Sequence, residues 1–228
     1  MILNNLKKQF FTAHFAVKFP IMVLSILGMG IFLSLLIEVN FGTDPCSFMN
    51  RNVASRFGLT LGNLQVIANA FMFVLSLIFA RNLIGFGTFF NWICIGYIAD
   101  FFCAIWKRAG LHDFLMLSEN LNWRIIIFAF AIFFFVVTAA TYMNAELGVA
   151  PYDALPMIIS KWISKVPFFI IRICYDMLAI SIGLFASLSN PKGMQGSLLG
   201  SIILALSIGP VVTIVGKWMR AHILKFDE

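Results

Sequence analysis

Charged side chains are what this sequence has least of. Only 11% of its 228 residues are Asp, Glu, Lys or Arg, against 61% hydrophobic residues, whereas a soluble domain carries about 25% charged residues. So few charges cannot coat a globule of this length, which excludes a water-soluble domain. Acids are the scarcer sign, 10 against 16 Lys and Arg. The four cysteines (Cys46, Cys94, Cys103, Cys174) are scattered, without disulfide pairing or metal-ligand spacing. The three histidines (His14, His112, His222) are too far apart to suggest a metal site. No phosphate loop, nucleophile elbow or zinc-protease helix occurs, so the sequence offers no cofactor, metal or catalytic cluster, and we expect a protein that is not an enzyme.

Long apolar runs are what remains. Six are long enough to cross a bilayer as helices: 20–39, 62–82, 84–106, 123–144, 167–188 and 194–217. None shows the in–out alternation of a lipid-facing barrel strand. With a mean hydropathy of +0.95, the expected fold is an all-α polytopic membrane protein with six transmembrane helices. The first run continues to Ile37 without a small-residue cleavage site and reads as a retained helix. The net charge of +6 sits at helix ends, where it anchors to lipid headgroups and does not point to nucleic acid. With the N-terminus inside, Lys7, Lys8, Lys18, Arg81, Lys161, Lys165, Lys217, Arg220 and Lys225 fall on the inner side. Arg51, Arg56, Lys107, Arg108, Arg124 and Lys192 fall on the outer side. The small inner excess favours both termini in the cytoplasm.

The chain also repeats itself. Gly42-Thr43-Asp44-Pro45 follows the first run and Gly148-Val149-Ala150-Pro151 follows the fourth. Each half, about 20–106 and about 123–217, has a long helix, a Gly-x-x-Pro break, a short segment and two more long helices. The linker from Lys107 to Asn122 is too short for another domain, so 1–228 reads as a single membrane domain. Three spans per half force the second copy upside down, giving inverted repeats with a site expected where they meet. Beyond the prolines, Gln65 and Asn69 align with Arg172 and Asp176, and Gly87-Thr88 with Gly196-Ser197.

The short segments are helix-periodic. Cys46, Met49, Val53 and Phe57 form one apolar stripe, with Asn50, Arg51, Asn52 and Arg56 off it; Leu155, Ile158, Ile159, Trp162 and Ile163 form the other. Asp44 is an N-cap before Pro45, and Pro151 at the first helical position precedes Asp153. Two readings stay open: surface helices in the headgroup layer, or half-helices dipping toward the midplane with their N–H groups facing a cavity.

Gly42-Thr43-Asp44-Pro45, then Phe57-Gly58-Leu59-Thr60-Leu61-Gly62, Gly85-Phe86-Gly87-Thr88, Gly96 and Asp100 form a pattern that resembles the YczE/YyaS/YitT family of bacterial membrane proteins. Gly148-Val149-Ala150-Pro151-Tyr152-Asp153 is similar to that family's second repeat, and the likeness runs from about 20 to 217. Lys165-Val166-Pro167 stands where a Gly-x-x-x-Gly turn stands in the first half. The resemblance implies a multi-pass protein of the bacterial cell membrane, with a transport role presumed.

An ionisable group at membrane depth costs about 2.5–3.5 kcal/mol on insertion scales, so each asks for a reason. Arg172 and Asp176, four apart, share one helix face and are expected to contact each other or a shared cavity. Asp100 follows Gly96 by one turn; it lines a cavity or sits at the interface before Lys107 and Arg108. Gln65 and Asn69 supply hydrogen bonds to a site or act as glue between helices. Glu38 and Glu146, just before the breaks, read as headgroup-exposed. The expected site is therefore Asp44, Pro45, Asn69, Asp100, Pro151, Asp153, Arg172 and Asp176. The expected function is a small-solute transporter or permease whose acids favour a cationic or zwitterionic solute or carry protons. The alternatives are a capture subunit of a larger uptake complex and a non-transporting accessory or sensor protein acting through a membrane partner. A homo-oligomer is equally compatible, and the Gly196-Ser197-Leu198-Leu199-Gly200 motif packs either within the chain or between copies.

Overall fold

The computed structural model describes residues 10–11 and 13–224; Lys7, Lys8 and Lys225 of the charge bias lie outside them. These residues form α1 (Phe15–Val39), α2 (Pro45–Phe57), α3 (Leu61–Phe79), α4 (Phe86–Arg108), α5 (Leu111–Met116), α6 (Leu121–Asn144), α7 (Pro151–Trp162), α8 (Phe168–Leu188) and α9 (Leu198–His222), with no strand among them. Six helices (α1, α3, α4, α6, α8 and α9) are long and apolar enough to cross a membrane. The protein is an all-helical membrane protein. Several helix ends differ from the hydropathy reading, most of all in α1 and α9, and α9 also runs on to His222, past the expected 217. α1 starts at Phe15, and α9 starts at Leu198 because 190–197 is a loop turned by Gly193 and Gly196 at φ 70° and 97°.

α1 and α6 pack antiparallel along much of their length. Lys18 meets Glu146 at 3.3 Å, Phe32 stacks on Phe134, and Arg124 Nε donates to the Val39 carbonyl at 2.7 Å. Arg220 joins Glu146 at 3.2 Å, so the start of α1 and the ends of α6 and α9 share one face, here the terminal face. The α4–α6 connection and the start of α3 lie at the other, the linker face. Glu38 belongs to the linker face but is buried, 6% exposed, with Oε2 3.1 Å from His112 Nδ1. It is not headgroup-exposed as the sequence suggested; half-exposed Glu146 answers that description better.

The two short helices each lie against a long helix of the other half. α2 runs beside α8 in the same direction: Phe48 packs on Ile180, Ser55 bonds Asn190 and Arg56 bonds Ser189. α7 runs beside α3, and its last residue, Trp162, meets Phe79 edge-on. α2 thus ends at the linker face and α7 at the terminal face, while both begin inside the bundle. The surface-helix alternative does not describe α2, whose Phe48, Asn50 and Asn52 are at most 1% exposed. Its apolar stripe is also a poor guide to burial: Phe57 is 72% exposed, while the off-stripe amides face inward.

The breaks are held by the helices that start beside them. Gly42 and Gly148 adopt φ 126° and 114°, a region strained for residues with a Cβ. At the second break, Gly87 N donates to Leu147 O at 2.7 Å and Val149 N to Leu83 O at 2.8 Å. At the first, Thr43 N donates to Ser201 Oγ at 3.1 Å, and Gly200 lies so close to the Phe41 carbonyl that a Cβ would collide with it. By these contacts Gly87-Thr88 corresponds to Gly200-Ser201, one turn beyond the Gly196-Ser197 alignment. The sequence offers two Gly-Ser pairs one turn apart, and only the approach of the break selects between them.

Candidate functional site

Asp44 caps α2: its Oδ1 accepts from Ser47 N at 3.1 Å, and Pro45 occupies the first helical turn. Pro151 opens α7 in the same way, with Asp153 in its first turn. Both helix starts lie close to Asp176, the ninth residue of the 21-residue α8 and so near the middle of that span. Met49 of α2, Tyr152 of α7 and Ala179 of α8 pack together there. Asp44 is near enough to Asp153 and Asp176 to interact with both electrostatically.

Arg172 organises the α7–α8 side. Its Nη1 donates to Asp153 Oδ1 at 2.6 Å and its Nε to Asp176 Oδ2 at 2.9 Å. Tyr152 donates its hydroxyl proton to the other oxygen of Asp176, Oδ1, at 2.8 Å. Asp176 is 4% exposed and has both oxygens engaged; Asp153 is about one-third exposed. Asp44 differs, because its Oδ2 is buried without a hydrogen-bond partner. Three carboxylates meet one guanidinium and two helix N-termini, each N-terminus worth about half a positive charge. The balance is about one negative charge, which favours a cation or a proton.

Six of the eight expected residues therefore come together: Asp44, Pro45, Pro151, Asp153, Arg172 and Asp176. Asn69 is 2% exposed on α3 with Oδ1 unpartnered, one turn before Met72, whose sulfur accepts from Tyr175. Asp100 is placed elsewhere. Its carboxylate accepts from Gly62 N at 2.7 Å and Leu61 N at 3.3 Å, capping α3 from the neighbouring helix. Gly96, one turn earlier, sits against the Gly62 backbone and sets that approach. Sequence reasoning does not assign Tyr152 a role, although it adjoins Asp153 in the second break motif. It also leaves Asn50 and Arg51 without one; the signal is a run of polar residues on a helix with a buried start.

A groove of about 550 Å³ lies away from these acids, between α6 and α9 at the terminal face, and includes Val212, Gly216, Lys217 and Arg220. Among the described residues, no three His, Cys, Asp or Glu side chains are grouped to hold a metal ion.

Six membrane-length helices with two buried half-helix starts define a compact polytopic membrane protein. The chain belongs to the family of unknown function DUF6198, which matches residues 16–217. It is similar to the uncharacterized membrane protein YczE of Bacillus subtilis (strain 168), 29% identical over 139 residues. The chain spans 60% of the length of that curated relative, and the match covers 60% of this chain. No solved structure matches it.

Proposed function

We propose that this protein is a small-solute transporter of the bacterial cell membrane, built of two inverted repeats, with its site where the starts of α2 and α7 meet. The observation that carries this is the convergence of two half-helix N-termini on Asp44, Asp153, Arg172 and Asp176 inside the bundle. Unpaired helix ends are tolerable at depth only beside protein, water or ligand. Antiparallel α1 and α6, and the reciprocal packing of each short helix on the other half, support the inverted arrangement. Both termini are assigned to the cytoplasm by the basic excess. The acids bind a cationic group of the solute or carry the coupling proton.

The test is a thermal-shift screen of the purified protein against small metabolites, followed by uptake of the hits into vesicles. Asp176→Asn and Asp44→Asn each keep shape while removing charge, and are expected to abolish uptake with little loss of folding. Normal uptake by both variants across pH would sink the carboxylate mechanism. A screen in which only another membrane protein stabilises the chain would move the assignment to an accessory role.

A further inference from the structure

The groove between α6 and α9 takes no part in the transport site, and it changes character along its length. On α9 it runs from Val212 to Arg220, about 12 Å of helix. Its inner end is apolar. Val212 and Ala140 are core side chains there, and the Thr213 hydroxyl is spent on the Gly209 carbonyl at 2.9 Å. Its outer end is cationic, with Lys217 and Arg220 in the last two turns of α9. Asn144 ties the two walls together. Its Nδ2 donates to the Gly216 carbonyl at 2.9 Å, and its Oδ1 accepts from Arg220 Nη2 at 3.1 Å.

The cations of the outer end are not used up. Lys217 is exposed, and no carboxylate among the described residues lies within ion-pair distance of it. Arg220 meets both Glu146 and Asn144 through Nη2, which leaves Nε and Nη1 for a ligand. Glu146 is shared with Lys18, so three cations face one acid here. The rest of the terminal face is basic too, with Arg81 after α3 and Lys161 and Lys165 at the end of α7. Trp218, 55% exposed, stacks on His222 at the end of α9. Aromatic side chains of this amphipathic kind sit at the headgroup level. Lys217 and Arg220 therefore stand at the headgroups, where long basic side chains reach phosphate, and Val212 lies within the hydrocarbon.

A partner helix would need apolar contact along a whole span, about 30 Å. This groove is much shorter and ends in charge, which is the polarity of one lipid. We infer that it binds an anionic phospholipid of the leaflet at the terminal face, with the phosphate at Lys217 and Arg220 and an acyl chain toward Val212. The assignment is independent of the transport reading.

Full-length protein in detergent is titrated with phosphatidylglycerol, phosphatidylcholine or glycerol 3-phosphate, and bound molecules are counted by native mass spectrometry. The first phosphatidylglycerol is expected to bind several-fold tighter than phosphatidylcholine. Lys217→Gln, at an exposed side chain, should weaken phosphatidylglycerol about fivefold in Kd and leave phosphatidylcholine unchanged, while Lys217→Arg keeps the preference. Thr213→Trp, also at an exposed position, fills the groove and should remove the preference without disturbing the core.

Equal affinity for the two lipids, or a preference unchanged by either Lys217→Gln or Thr213→Trp, overturns the site. Glycerol 3-phosphate binding as tightly as phosphatidylglycerol assigns the cations to a soluble phosphate and overturns the lipid. A dimer that Thr213→Trp abolishes puts a second copy of the chain in the groove and overturns it as well.

Discussion

Asp100 and Asp176 are both carboxylates of the bundle, and their partners give them different tasks. Asp100 accepts from two backbone N–H groups that begin α3, whereas Asp176 accepts from Tyr152 and Arg172 beside the starts of two half-helices. Asp100→Ala should therefore cost about 1–2 kcal/mol of stability, the size of a lost N-cap, seen as a lower melting temperature in detergent with solute affinity unchanged. Tyr152→Phe should lower the melting temperature as well, because it removes one hydrogen bond to a buried carboxylate, about 1.5–3 kcal/mol, but unlike Asp100→Ala it should also weaken binding of the solutes found in the thermal-shift screen. Equal effects on both readouts would mean that the two acids are not divided this way.

At the scale of elements, the breaks are positioned by glycines in the helices beside them. Gly200 of α9 lies against the Phe41 carbonyl, while Gly209, further along the same helix, has open space for 4 Å around the point where a Cβ would stand. Gly200→Ala should push α9 off the first break and lose folded protein, measured as recovery of monodisperse material on size exclusion. Gly209→Ala should be neutral or stabilising by up to about 1 kcal/mol, the helix-propensity gain of Ala over Gly. Comparable recovery of the two variants would show that the break does not depend on that contact. Tyr142 supports the second break by donating to the Gly87 and Gly148 carbonyls at 3.2 and 3.1 Å.

At the scale of the molecule, the ion pairs at Glu146 place Lys18 and Arg220 on one face, and the Glu38–His112 contact lies at the opposite face. In a background with Cys46, Cys94, Cys103 and Cys174 replaced, His112→Cys and His222→Cys should react with a membrane-impermeant thiol reagent from opposite sides. His112→Cys is expected to label from outside intact cells, and His222→Cys only after the membrane is opened. Labelling of both from one side would overturn the orientation, and with it the antiparallel span count.

The sequence by itself determined what depends on one segment at a time. Hydropathy located six spans; Gly-x-x-Pro marked both breaks; and Asp44-Pro45 and Pro151 gave the starts of α2 and α7 at the observed residues. The spacing of Arg172 and Asp176 fixed a shared helix face, and the two are indeed bonded. Only the tertiary structure decided which face of each helix is inside. In water an apolar stripe points to the core, but lipid tails are as apolar as a protein interior, so the stripe of α2 could not tell the two apart. That is why Phe57 is exposed while Asn50 and Asn52 are buried. The same limit separated Asp100 from Asp176 and moved the match of Gly87 from Gly196 to Gly200. Each depended on a partner from another helix, and no single segment carries the identity of its neighbour.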